Sequence, residues 1–212
     1  MTTNVYPFEK PEFGNIRYSA YNLLLAQKRP HIGMQARNII IPGKRLVFAS
    51  LQDYSTATGV SMYDLTANGK ISLGCNISIG AKTYILLHNE DISSECCENW
   101  TNLHEIGHIC LGHEENGDKE EVEAHFFAAC YSMPDAIIWH IEEHGVRIDK
   151  YFLMEYFHVS AEAAEKKINT LSTAYFKTSL DDQIIETLHA DINYIIRDAT
   201  QAEYHFINFA TL

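Results

Sequence analysis

The chain has 212 residues, a formal net charge of −12 and 46% hydrophobic residues, a size and apolar content that fit one main domain with a real core. An acidic surface repels a phosphate backbone, so direct nucleic-acid binding is not expected. No apolar run reaches the roughly 18 residues that a membrane-spanning helix needs, so no membrane association is expected either.

In chain order, Ile16 to Gln27 reads as a helix stopped by Lys28-Arg29-Pro30. Ile39-Ile40-Ile41-Pro42-Gly43 is an apolar run bounded by breakers, and Lys44 to Tyr54 is compatible with a second helix. Val60 to Leu65, Lys70 to Leu73 and Lys82 to His88 look like strands, the first pair joined by a hairpin-like turn at Ala67-Asn68-Gly69. If the last of these lies at a sheet edge above a cleft, a peptide could pair with it; His88, near its end, reads by default as an ordinary strand-end polar residue.

The segment His104-Glu105-Ile106-Gly107-His108 follows and has the form H-E-x-x-H. On a helix, residues four apart share a face, so two imidazoles can close on one Zn²⁺ at about 2.0–2.1 Å per bond. Glu105 then sits beside the metal without binding it, where it can act as a general base toward water. The bland alternative is two unrelated histidines on an amphipathic helix. Trp100, Leu103, Ile106, Gly107 and Cys110 recur at helical spacing and supply a core stripe beside the His104/His108 face. Gly107 costs about 1 kcal/mol in a helix interior, which points to close approach of a neighbouring element. Gly112 is a plausible helix end.

A catalytic zinc takes three protein ligands and keeps one position open. The next helix, from Glu120 to Tyr131, offers Glu121, with Glu123 as the second choice; three acidic residues at a helix start also suit the macrodipole, and Glu120 and Glu123 fit that plainer role better. Glu121 and His125 are four apart and share a face, which puts His125 near a first-helix histidine, as its hydrogen-bonding neighbour or as a fourth ligand. The acidic group Glu114, Glu115, Asp118, Glu120, Glu121 and Glu123 flanks the site. It reads either as a solvated loop or as a steering surface for a Lys/Arg-rich protein.

Beyond Pro134 the pattern is helical: Pro134 to His144, Tyr151 to His158, Ala161 to Leu171 capped by Ser160, and a final helix over Asp181 to Arg197. Ser160 lacks a capping-box partner because Ala163 holds that position. His140 and His144 repeat the four-residue spacing without an adjacent Glu and read as surface histidines. The stretch at Val159-Ser160 is similar to helix-turn-helix segments, but packing explains it better in so acidic a chain.

The five cysteines, Cys75, Cys96, Cys97, Cys110 and Cys130, have no C-x-x-C spacing and read as ordinary thiols of a reducing compartment. Met1 to Pro7 lacks a basic segment followed by an apolar one, so export is not expected and a cytoplasmic location is. The fold expected is α+β: a small mixed or antiparallel sheet packed on a zinc-binding helical core, residues 1–134, followed by a helical C-terminal region, 135–212.

The run from Thr83 to Pro134 resembles the ImmA/IrrE metallopeptidases. Its landmarks are the strand Tyr84 to Asn89, the Thr-x-x-His-Glu-x-Gly-His stretch from Thr101 to His108, and the helix bearing Glu121, Ala124, Phe127 and Ala128, closing on Met133-Pro134. A weaker match continues through Phe157 to Ser160. The resemblance implies zinc held by His104, His108 and Glu121, with Glu105 as the base. It also implies an intracellular endopeptidase acting on a transcriptional repressor of a mobile element or stress response. One position departs: the family often has Asn or Asp where this chain has His125, and a neutral imidazole gives less charge assistance than a carboxylate. Two other functions stay open, a zinc-binding regulatory partner of a transcription factor with little hydrolysis, and a structural zinc protein with four filled ligands. An oxyanion donor is also required; His113 and Tyr131 are near in sequence, and neither is assigned.

Overall fold

A computed structural model describes residues 11–66, 73–91, 94–114, 117–171 and 177–210, the last stretch by backbone alone from 202. By contacts the chain divides into two compact units. One comprises the residues through Ala20 together with Ile40–Ala128, and the other Tyr21–Ile39 together with the chain from Ala129 onward.

Helix α1 spans Phe13–Leu25. In the first unit, strand β1 (Arg45–Ser50) is followed by helices α2 (Leu51–Thr58) and α3 (Met62–Leu65), strands β2 (Gly74–Ile79) and β3 (Thr83–His88), and helices α4 (Glu95–Leu111) and α5 (Asp118–Ser132). The sheet has the order β1-β3-β2. β1 runs parallel to β3 with Val47 opposite Ile85, and β2 runs antiparallel to β3 with Ile77 opposite the same residue. The sheet is therefore mixed and the fold α+β. Helix α4 packs on β2 and β3. Leu86 and Leu87 of β3 are fully buried, their side chains on opposite faces of the sheet.

Two local expectations fail here. The stretch from Lys44 is a strand before it is a helix, because Arg45 to Ser50 finds a pairing partner in β3 that sequence periodicity does not reveal. Val60 to Leu65 holds a short helix, not a strand. In both places the missed signal is a Ser followed three residues later by Asp: Ser50 Oγ accepts from the Asp53 N–H, and Ser61 Oγ from that of Asp64. The expected turn at Ala67-Asn68-Gly69 and most of the strand Lys70 to Leu73 lie outside the described residues. The observed β2 starts at Gly74 and turns back through Gly80, whose φ of 64° favours glycine. Finally, β3 is the central strand and β1 and β2 are the outer strands, an order decided by tertiary pairing.

The second unit contains α6 (Asp135–Glu143), α7 (Lys150–Phe157), α8 (Ala161–Thr170), α9 (Ser179–Thr187) and α10 (His189–Ala210). Helix α8 starts as its cap residue predicts, with Ser160 accepting from the Ala163 N–H. The single final helix expected over Asp181 to Arg197 is instead two helices, broken at the buried Leu188. No Gly or Pro marks that break. Helix α9 opens on a capping box in which Thr178 and Asp181 bond each other's backbone N–H.

Candidate metal centre

Ser94 caps the start of α4, and Gly112 ends it in the left-handed region at φ 73°. Between them, every residue from Thr101 to Ile109 is buried, including the polar side chains Thr101, Asn102, His104, Glu105 and His108. Burying that many polar groups on one helix is expensive unless they serve a site. Lys44 supports the helix end by donating from Nζ to the Ile109 carbonyl at 2.8 Å.

Helix α5 approaches α4 at Gly107. A Cβ on that residue would lie 3.1 Å from the Ala124 carbonyl oxygen and 3.2 Å from its Cα, so only glycine allows this separation without displacing backbone. The close approach brings Glu121 over the two histidines. His104 Nε2 and His108 Nε2 are 3.0 Å apart, and the Glu121 carboxylate lies 3.2 Å from the first and 3.5 Å from the second. Donors at about 2.05 Å from a tetrahedral zinc are about 3.3 Å from one another. The three side chains therefore fit the ion by both donor type and spacing. His104, His108 and Glu121 form the one group among the described residues with metal-binding convergence.

Burial, followed by the neighbouring imidazoles, lowers the pKa of His104 to about 3 and that of His108 to about 4. Both rings are neutral at pH 7, with lone pairs available to a metal. Glu105 is buried outside the ligand group and accepts a 2.6 Å hydrogen bond from Asn76 Nδ2 on β2. Burial pushes its carboxyl above the usual carboxylate range, while the Asn76 bond opposes the rise. Asn76 had no sequence signal, since strand β2 was not recognised.

His125 packs its ring 4.3 Å from that of His104, centroid to centroid, and stacks on Trp100 on its other side. Among the described residues the buried His104 Nδ1 has no hydrogen-bond partner, so His125 does not bond that nitrogen. His125 also lies outside the group that could hold a metal, which among the described residues comprises three candidate ligands.

The two residues left unassigned for an oxyanion donor are placed differently. Tyr131 is buried with its hydroxyl donating to Met34 Sδ. His113 sits behind His108, the two Nδ1 atoms 2.9 Å apart, and its Nε2 lies 3.0 Å from Glu123. That arrangement was legible in part. A left-handed Gly after a helix turns the next residue back, and the His113 N–H indeed bonds the His108 carbonyl at 3.1 Å.

His104, Glu105, His108, His113, Glu121 and His125 line a cleft of about 1,090 Å³, walled by Gly74, Cys75, Asn76 and Ser78 of β2 on one side and by α4 and α5 on the other. Its described lining carries Asp64 and Glu114 and no Lys or Arg. Cys75 is there too, but burial raises its thiol pKa to about 11, which leaves it protonated and a poor ligand.

A family model described as the IrrE N-terminal-like domain, Peptidase_M78, matches residues 63–169, just over half of the 212-residue chain. The match takes in β2, β3, α4, α5 and the following helices through most of α8. No curated protein matches the chain.

Proposed function

The chain belongs to the M78 peptidase family, and on that premise we propose that it is a zinc-dependent intracellular endopeptidase. Its substrate on this reading is a regulatory protein, a helix-turn-helix repressor of a mobile element or stress response. The observation that carries the reading is the convergence of His104, His108 and Glu121 at tetrahedral spacing, with Glu105 buried beside them and outside the ligand group. When bound, zinc supplies a Lewis acid that polarises a scissile carbonyl and activates water.

The chain's own residues do the rest. Glu105 takes a proton and returns it to the leaving amine. Its burial makes it a stronger base than an exposed carboxylate, and Asn76 holds one of its oxygens in place. The outer edge of β2 offers backbone N–H and C=O groups along the cleft, where an extended peptide can add as a further strand. Asp64 and Glu114, unopposed by any Lys or Arg in the described lining, favour a basic segment such as those of DNA-binding regulators.

The test compares wild type with Glu105→Gln and Glu121→Ala, measuring bound zinc and cleavage of purified helix-turn-helix repressors. Wild type and Glu105→Gln should each hold about one zinc per chain, with cleavage reduced about 10²–10⁴-fold in the latter. Glu121→Ala should lose the zinc. No zinc in the wild type after reconstitution would sink the mechanism. The second reading, a weakly catalytic zinc-binding partner of a transcription factor, draws on His104 Nδ1 lacking the acceptor that usually supports a ligating imidazole. It predicts that wild type and Glu105→Gln bind the regulator equally and that neither cleaves it.

A further inference from the structure

Both imidazole nitrogens of His108 face named partners, and only one of them faces the group that could hold a metal. Its Nε2 faces Glu121, at 3.5 Å. Its Nδ1 faces His113 Nδ1 at 2.9 Å, and His113 Nε2 faces Glu123 at 3.0 Å. Glu121 and Glu123 are two apart on α5 and point to different faces of it, so the second carboxylate reaches His108 only with an imidazole as spacer. The spacer is delivered by the left-handed turn at Gly112. The His113 and Glu123 side chains are largely buried, 8% and 12% exposed, which sets this pair apart from a solvated surface contact.

The protons along the chain admit one arrangement when His108 uses Nε2 as a ligand. Its Nδ1 must then carry the hydrogen and donate to His113 Nδ1. That leaves the hydrogen of a neutral His113 on Nε2, where it donates to the Glu123 carboxylate. Each nitrogen has one role and none is left over.

We propose that Glu123 and His113 are positioning residues that act in series to fix the tautomer and ring orientation of His108 as a metal ligand. The proposal rests on the zinc reading above. It assigns a role to two residues outside the group that could hold the metal. The carboxylate's charge, passed through His113, strengthens His108 as a donor. The pair also ties the end of α4 to α5 beside the helix positions that carry the ligands.

The test is zinc affinity by competition with a chelator, together with the visible absorption of the cobalt-substituted protein, for His113→Ala, His113→Asn, Glu123→Gln and the double variant His113→Ala/Glu123→Gln. His113→Ala should weaken zinc binding about 10–100-fold and Glu123→Gln by about tenfold or less, both with shifted cobalt bands. The double variant should be no weaker than His113→Ala, because the two residues act through one chain. His113→Asn, whose Oδ1 stands where Nδ1 was, should recover part of the loss. Affinities within twofold of wild type in the folded single variants, or losses that multiply in the double variant, overturn the relay. Should His113→Ala not fold, His113→Asn and Glu123→Gln decide by the same twofold criterion. A wild-type chain that takes up no zinc overturns the zinc reading as well; one that binds zinc normally while the variants match it overturns the relay alone.

Discussion

Helices α6 and α8 bury a Lys beside an Asp, whereas α4 buries two His and a Glu that converge on one cleft. In the first case Lys167 Nζ lies 2.6 Å from Asp135, and the pair closes on itself with the Lys buried and the Asp partly exposed. In the second, His104 Nδ1 has no hydrogen-bond partner among the described residues, and both Nε2 atoms crowd against each other and against Glu121. A buried pair that satisfies itself is a structural solution with nothing left to offer a ligand. Buried donors and acceptors that converge without satisfying one another are costly in the free chain and become favourable when a cation arrives between them. The same contrast recurs within the site, where His108 has a two-residue chain behind it and His104 lies against the ring of His125.

The contrast is open to measurement by denaturation of the metal-free protein. The largest effect should come from Asp135→Ala, which strands a buried ammonium and should cost about 3 kcal/mol. Lys167→Met should cost clearly less, about 1 kcal/mol, since Asp135 is partly exposed at the first position of α6 where the macrodipole favours it. Equal losses from the two would show that the pair is not what stabilises α6 against α8.

Gly107→Ala should come next. The gain of about 1 kcal/mol in helix propensity is set against overpacking of about 1–3 kcal/mol on the Ala124 backbone, for a net loss of about 0–2 kcal/mol. Zinc affinity should fall with it, because α5 carries Glu121; a stabilised variant with unchanged affinity would mean that α5 yields without moving the ligand.

The smallest effect should have the opposite sign. Glu105→Gln removes a buried negative charge, keeps an acceptor for Asn76, and should raise metal-free stability by about 1 kcal/mol. Lower stability in that variant would place the charge of Glu105 among the paired groups and erase the distinction between the two regions.

Legibility in the sequence followed the range of the interactions. The H-E-x-x-H turn, the end of its helix at Gly112, the tight neighbour implied by Gly107 and the preference for Glu121 over Glu123 all depend on residues a few positions apart on helices. Helical geometry carries that information at short range. The positions of β1 and β2 did not come through. Arg45 to Ser50 and Gly74 to Ile79 become strands because β3 lies between them, and the two capping serines that flag the neighbouring helices, Ser50 and Ser61, are weak signals taken singly.

What the sequence determined by itself is thus the helix chemistry: two imidazoles and a carboxylate on one helix, a second carboxylate on the next, and a glycine where the two must touch. What the tertiary structure alone decided is that β2 is an outer strand along the cleft, that Asn76 holds Glu105, and that His113 and Glu123 stand behind His108 while His125 packs on His104. The physical reason is that a helix has a fixed repeat, so spacing becomes position. Strand order and hydrogen bonds between elements depend on how the chain closes on itself, and no local repeat encodes that closure.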